Sequence, residues 1–239
     1  MLYFSQLIIY FALYSFLGWS VEVVYAYSIS KKFINRGFLF GPFCPIYGFG
    51  LLSLIVLLQP FAKNIFLFFV GTMFMTSAIE YFTGFILEKI FKTHWWDYSN
   101  EKFNLHGYIC LKFSIYWGIF GTLLYYFVHP FIALLVDHIS NKSILILTPI
   151  IFIYFLIDFI FTLHSLFKIK SIYKNFQKIR ENYTAIAENF RQQTLSRLDF
   201  IRVKREFKKN KYHLHQKIKK HRLLMAFPKI KKSIESRFN

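Results

Sequence analysis

Residues 35–50 read NRGFLFGPFCPIYGFG. The stretch joins two strongly apolar segments, yet it holds four glycines and two prolines, the residues that cost most inside a helix. Gly41-Pro42 and Pro45 block a regular helix through FLFGPFCP. Pro45 instead suits the first turn of a shorter helix, one running through IYGFGLLSLIVLL to Gln59 and Pro60. Non-helical backbone at membrane depth survives only under a cover of protein or beside a water-filled cavity. A helix that begins partway through a membrane aims its free N–H groups and positive dipole end into the interior, an arrangement that builds substrate sites in transporters. The plainer reading is an ordinary turn whose glycines serve close helix packing.

The rest of the chain supplies the membrane. It has 239 residues, 55% hydrophobic and 22% aromatic. Windows such as LYFSQLIIYFALYSFLGW and SILILTPIIFIYFLIDFIF are apolar over roughly the 20 residues needed to cross a hydrocarbon core. Backbone in lipid must satisfy its own hydrogen bonds, so these windows predict helices; they lack the dyad alternation of a barrel strand. Five segments follow, at about 2–28, 38–58, 65–88, 113–135 and 144–167. The expected class is an all-α polytopic membrane protein with five transmembrane helices, the second broken, and a long basic helical tail. Residues 1–168 form the membrane domain and 169–239 the tail. MLYFSQ has no basic leader, which makes the first segment a retained helix.

The formal net charge is +18, and its distribution orients the chain. The first loop holds Lys31, Lys32 and Arg36, the second only Lys63. The third, with its borders, holds Lys89, Lys92, Lys102 and Lys112, the fourth only Lys142, and the remaining 21 basic residues lie after residue 167. This alternation follows the positive-inside rule. It places the N-terminus outside, and the first loop, the third loop and the tail in the cytoplasm.

In the tail, Ile172, Phe176, Ile179, Tyr183, Ile186 and Phe190 recur at spacings of 4, 3, 4, 3, 4, the seam of a coiled coil or of a helix packed on a partner. From Arg202 to Lys232 the chain is dominated by Lys, Arg and His. Three readings compete for this tail: self-association or docking to a soluble subunit, a basic face on anionic lipid, and nucleic-acid binding. The last is the weakest, because basic charge without a reading motif is non-specific.

Ionisable groups inside spans are costly and are by default functional hypotheses. Glu22, Glu80 and Asp158 each belong to a polar row at helical spacing. The rows are Tyr10, Tyr14, Gly18, Glu22; then Thr72, Thr76, Glu80, Gly84; then Tyr154, Asp158, Thr162. Hydroxyl and small residues are what helix contacts in lipid use, so the three acids face the interior, at or on the cytoplasmic side of the midplane. They line a polar site, or they act as inter-helix hydrogen-bonding glue. Arg36 is placed to pair with Glu22. The polar stretch 94–113, HWWDYSNEKFNLHGYICLKF, forms a cytoplasmic interfacial elbow; its Trp95 and Trp96 suit headgroup anchors, and Asp97 and Asn104 suit contacts with the first loop.

Enzyme signatures are sparse. The His residues are dispersed, there is no H-E-x-x-H, and no Ser sits in G-x-S-x-G. Cys44 and Cys110 form no C-x-x-C. No metal or cofactor is expected. An acid-dependent lipid enzyme built on Glu22, Arg36 and Asp97 is the one catalytic alternative.

GWSVEVVYA at 18–26, NRGFLFGPFCPIYGFG at 35–50, WDYS at 96–99 and FNLHGYICLKFSIYWG at 103–118 recur in this order in one bacterial membrane family. Over about residues 8–160 the chain resembles the type IV ABC-transporter permeases, the CmpB-like domain. The resemblance rests on Gly18, Trp19, Glu22, Asn35, Arg36, Gly37, Gly41, Pro42, Pro45, Tyr47, Gly48, Trp96, Asp97, Tyr98, Asn104 and Gly107. It implies a bacterial inner-membrane permease subunit with an ATP-binding partner, since the chain has no G-x-x-x-x-G-K-[ST] loop of its own, and a homo-oligomer, since five spans are few for a solitary channel. With Arg36, Tyr47, Asp97 and Asn104, the acids Glu22, Glu80 and Asp158 make up the expected substrate site. The competing class is a non-transporting membrane scaffold whose tail recruits lipid, a partner or another copy.

Overall fold

A computed structural model of the chain describes residues 2–91, 94–191 and 197–220. The chain divides into two compact units, residues 1–160 and 161–239. Among the described residues, four helices are long and apolar enough to cross a membrane: Leu2–Ser30, Ile65–Phe91, Leu111–Asp137 and the Asn141–Lys168 part of a longer helix. Their ends fall within a few residues of the predicted segments.

In the first unit, α1 (Leu2–Ser30) is followed by irregular chain over 31–44, and only then by α2 (Pro45–Leu57). The predicted segment 38–58 is therefore not a full-length helix. Pro45 occupies the first turn of α2, behind an extended Cys44 (φ −117°, ψ 92°). The 13 residues of α2 span about 20 Å, two-thirds of a roughly 30 Å hydrocarbon core. The Cys44 amide donates to the Ser15 carbonyl at 2.9 Å. Ser15 lies halfway along the 29-residue α1, so α2 starts level with the middle of α1. Gly18 makes this approach possible: a Cβ there would overlap the Tyr47 ring.

A short turn at Gln59–Phe61 leads into α3 (Ile65–Phe91). The elbow after α3 contains a small antiparallel hairpin, β1 (Asn104–Leu105) and β2 (Ile109–Cys110), with Asn104 opposite Cys110 and Leu105 opposite Ile109. His106 and Gly107 turn it with φ of 54° and 72°, the successive left-handed residues of a tight hairpin turn. The third long span combines α4 (Leu111–Leu123), a π-helical turn (Leu124–Val128) and α5 (His129–Asp137). A buried cluster of Ile9, Tyr14, Leu51, Leu54, Leu58, Phe68, Ile132, Val136 and Ile144 ties α1, α2, α3 and α5 to the start of α6 (Asn141–Arg191). The exposed Phe, Ile and Leu of the long helices are the surface such helices offer to lipid.

In the second unit, α7 (Arg197–Lys220) packs against the last turns of α6. Tyr183 stacks on Phe207 with ring centroids 4.5 Å apart, and its ring lies 6.4 Å from that of Phe200. Half-buried residues recur at Ile179, Tyr183 and Ile186 and at Phe200, Val203, Phe207 and Asn210. That is the 3–4 spacing of a helix seam, so the central residue of the predicted seam meets a partner within its own chain. Arg202, Lys204, Arg205, Lys208, Lys209 and Lys211 are exposed. The side chains of Ile172, Phe176 and Phe190, and the chain after Lys220, lie outside the described residues.

Candidate functional site

The irregular stretch 31–44 is held from both sides. From α1, the Trp19 indole N–H donates to Asn35 Oδ1 at 2.8 Å; the same oxygen accepts from the Gly37 amide at 3.0 Å, while Asn35 Nδ2 donates to the Phe40 carbonyl at 3.1 Å. From α6, the Asp158 carboxylate accepts from the Phe40 and Gly41 amides, each at 2.7 Å. Phe155 packs on Phe43 with centroids 4.7 Å apart, and Tyr154 packs edge-on to the same ring. Polar backbone at membrane depth is thus paired with protein, as lipid requires. The amides that Asp158 engages, Phe40 and Gly41, lie upstream of the α2 N-terminus, whose dipole was the one expected to face a ligand.

Glu22 and Glu80 are arranged differently. Tyr47, on the first turn of α2, donates its hydroxyl to Glu22 Oε1 at 2.7 Å. Arg36 Nε stands 3.5 Å from Glu22 Oε2, the pairing expected from the sequence. The side chains of this pair keep about a quarter of their surface exposed (25% and 27%). Glu80 lies deeper, with 8% exposure. Its Oε1 accepts the Tyr98 hydroxyl at 3.0 Å. The Trp117 indole stands beside the same carboxyl, yet Oε2 has no donor in hydrogen-bonding geometry.

Aromatic rings join the two carboxylates. Tyr47 and Trp117 meet edge to face with centroids 5.8 Å apart, and Tyr98 stacks on Phe113 at 4.7 Å. Burial pushes the Tyr98 phenol well above its ordinary pKa, and the Glu80 carboxylate adds to the rise; Glu22 is also close enough to act on it. Tyr98 therefore lies within electrostatic reach of both acids, and α1, α2, α3, α4 and the elbow each contribute a residue to one polar interior.

The other predicted elbow residues serve the elbow itself. Asp97 Oδ1 accepts from the amide and the hydroxyl of Ser99. Asn104 bonds to the Ser99 and Glu101 carbonyls and accepts from the Gly107 amide. Both are exposed. The tryptophans expected at the headgroups turn inward. Trp95 is 8% exposed and packs near Phe38 and Phe91; Trp96 donates to the Tyr108 carbonyl and lies over Gly84. Gly48 packs on Ser15 and Phe11, and Pro42 sits in the irregular stretch.

Three functional-type features escaped the sequence reading. Trp117 reads as one more apolar residue of a span. His129 follows the π turn, and its Nδ1 lies 2.7 Å from the Tyr14 hydroxyl with the Tyr10 and Tyr125 rings around it; Pro130 beside it was the available signal. Tyr108 donates to Glu88, whose other oxygen lies 3.3 Å from His94 Nε2; the bond to Glu88 pushes the phenol up to about 12. Among the described residues no group of three or more His, Cys, Asp or Glu is gathered to hold a metal.

No curated protein and no solved structure matches the chain. A family model does, over residues 9–163, which takes in the long spans, α2, the elbow and both carboxylates. The chain belongs to the membrane-protein family described as "Putative ABC-transporter type IV".

Proposed function

We propose that the chain is the membrane subunit of a transporter, an ABC-type permease, and that Glu22 and Glu80 line its substrate site. The observation that carries this is the Glu22–Tyr47–Trp117–Glu80–Tyr98 arrangement. It gathers two acids from different spans around the first turn of a half-length helix. A buried carboxylate oxygen without a donor is expensive. It is kept where something other than packing requires it, and intramembrane acids of transporters are the common case. Irregular chain plus α2 carries the polypeptide across where a full helix would otherwise stand, making five traversals with the N-terminus outside. The elbow and the tail are the cytoplasmic docking surfaces. The partner is an ATP-binding subunit, and the permease works as a homo-oligomer in the bacterial inner membrane.

Asp158 belongs to the substrate site only indirectly in this reading: it holds the wall through Phe40 and Gly41. Arg36 neutralises Glu22 at the wetter end. Asp97 and Asn104 shape the elbow that presents Tyr98.

Affinity purification in mild detergent from the native membrane tests this. The permease reading expects a nucleotide-hydrolysing subunit to co-purify, with ATP hydrolysis that Glu22→Gln and Glu80→Gln alter while the complex stays assembled. Recovery of the chain alone, or of hydrolysis indifferent to both substitutions, overturns it. A cysteine at Asn141 is then expected to label from outside intact cells and one at Asn175 is not.

A second reading rests on the exposed basic face of α7. A scaffold that holds anionic lipid or a partner through this face needs no substrate site. Deletion of the tail then removes function, and the two carboxylate substitutions leave it intact.

A further inference from the structure

We infer that the ligand of the Glu22–Glu80 site is a small organic ammonium ion, an inference that rests on the substrate-site reading above. Three observations converge. First, the charge is unbalanced: Glu22 has Arg36 within 3.5 Å, whereas Glu80 receives only a neutral phenol and lies beside a neutral indole. Second, Glu80 Oε2 takes no hydrogen bond of good geometry in a residue only 8% exposed, the Trp117 indole standing beside the carboxyl. An ammonium N–H supplies both the donor and the charge, and hydrogen bonds to ionised groups are the strong ones.

Third, the surroundings are aromatic. Tyr47, Tyr98 and Trp117 meet the two carboxylates, and Phe113 backs Tyr98. Aromatic faces attract organic cations through the ring quadrupole, tryptophan most strongly, and more so when water is excluded. The same walls suit a bare metal ion poorly. Hard cations take about six or more oxygen ligands, and most of the polar oxygens here already bond to each other. An anion is disfavoured by the two carboxylates, and a neutral solute leaves the charge on Glu80 uncompensated. Glu22 and Arg36 keep about a quarter of their surface exposed whereas Glu80 is 8% exposed, so the wetter end of the proposed site is at Glu22 and its buried end at Glu80.

Equilibrium binding to the purified full-length chain in detergent tests the inference, with butylammonium, putrescine and choline as probes and 1-butanol as the neutral control. At constant ionic strength, at least one of the amines is expected to bind saturably with quenching of tryptophan fluorescence, and butanol is not. Glu80→Gln keeps the volume and removes the charge; it is expected to weaken amine binding at least about tenfold. Trp117→Phe keeps a ring with a weaker quadrupole and is expected to weaken binding by a smaller factor. Glu181→Gln, on an exposed position of α6 in the second unit, is expected to leave it unchanged. Absence of saturable binding by all three amines, equal binding of butanol, or full binding by a folded Glu80→Gln variant overturns the inference. Failure here separates from failure of the permease reading. If the amines do not bind but ATP hydrolysis by the co-purified complex still depends on Glu80, the site stands and the ligand class falls. If they bind and no ATP-hydrolysing partner exists, the ligand class stands and the permease falls.

Discussion

Asp158 and Gly41 lie 117 positions apart in sequence, yet the carboxylate of one accepts the amide of the other at 2.7 Å, with the neighbouring Phe40 amide bound equally closely. One side chain thereby satisfies two consecutive N–H groups of irregular backbone at a depth where water is scarce. Lipid makes such pairing obligatory, and it explains how a chain with Gly41-Pro42 in mid-segment remains ordered next to α6.

Removing that side chain tests the role directly. Asp158→Ala strands two amides, each at about 1–3 kcal/mol. The variant is expected to unfold at lower temperature and to expose Cys44, which is buried two residues beyond Pro42. Maleimide labelling of Cys44, with buried Cys110 as internal reference, gives the readout. Cys44 that stays as protected as in the parent contradicts the clasp.

Gly18 sits where the Tyr47 ring meets α1. Gly18→Val forces the ring away and is expected to cost about 1–3 kcal/mol, the range for overpacking a close contact. It also separates the Tyr47 hydroxyl from Glu22. Tyr47→Phe deletes only that hydroxyl. Thermal unfolding in detergent is expected to rank Gly18→Val well below Tyr47→Phe; equal losses contradict the close approach of α1 and α2.

Tyr183 and Phe207 stack within one chain, so α6 and α7 occupy each other's apolar faces. With Cys44 and Cys110 replaced by serine, the pair Tyr183→Cys and Phe207→Cys is expected to be bridged by a short bis-maleimide inside a monomer. Bands at twice the monomer mass as the main product indicate that the seam joins two copies.

Much of this fold was legible in the sequence, for identifiable reasons. Long apolar windows announced the four long spans, and Gly41-Pro42 with Pro45 announced both the break and the first turn of α2. The Glu22–Arg36 pair followed from helix depth. What escaped was structure without a residue-type signature. Asp158 is read from sequence as a carboxylate seeking a hydroxyl or a ligand; Tyr154 supplies a hydroxyl beside it, but it also takes two backbone amides, which every residue except proline carries. The 104–110 hairpin has strands of two residues, too short to show alternation, and only His106-Gly107 hinted at its turn. The π turn at LYYFV continues an apolar helical run without a break in pattern. Glu80 was identified as interior, but Tyr98 reaches it only because the elbow folds back, which no local spacing reveals.

The account turns on a contrast between two intramembrane acids: Glu80 with an unengaged oxygen, and Asp158 bound by two amides. A membrane-soluble carbodiimide, which adds to carboxyls in their protonated form, reaches Glu80 from the apolar phase when the site holds no cation, and so reads this contrast in one experiment on the intact protein. Peptide mass spectrometry after brief treatment of native membranes is predicted to find the adduct on Glu80, with Asp158 unmodified. An adduct on Asp158 while Glu80 remains inert contradicts the assignment of the substrate site to Glu22 and Glu80.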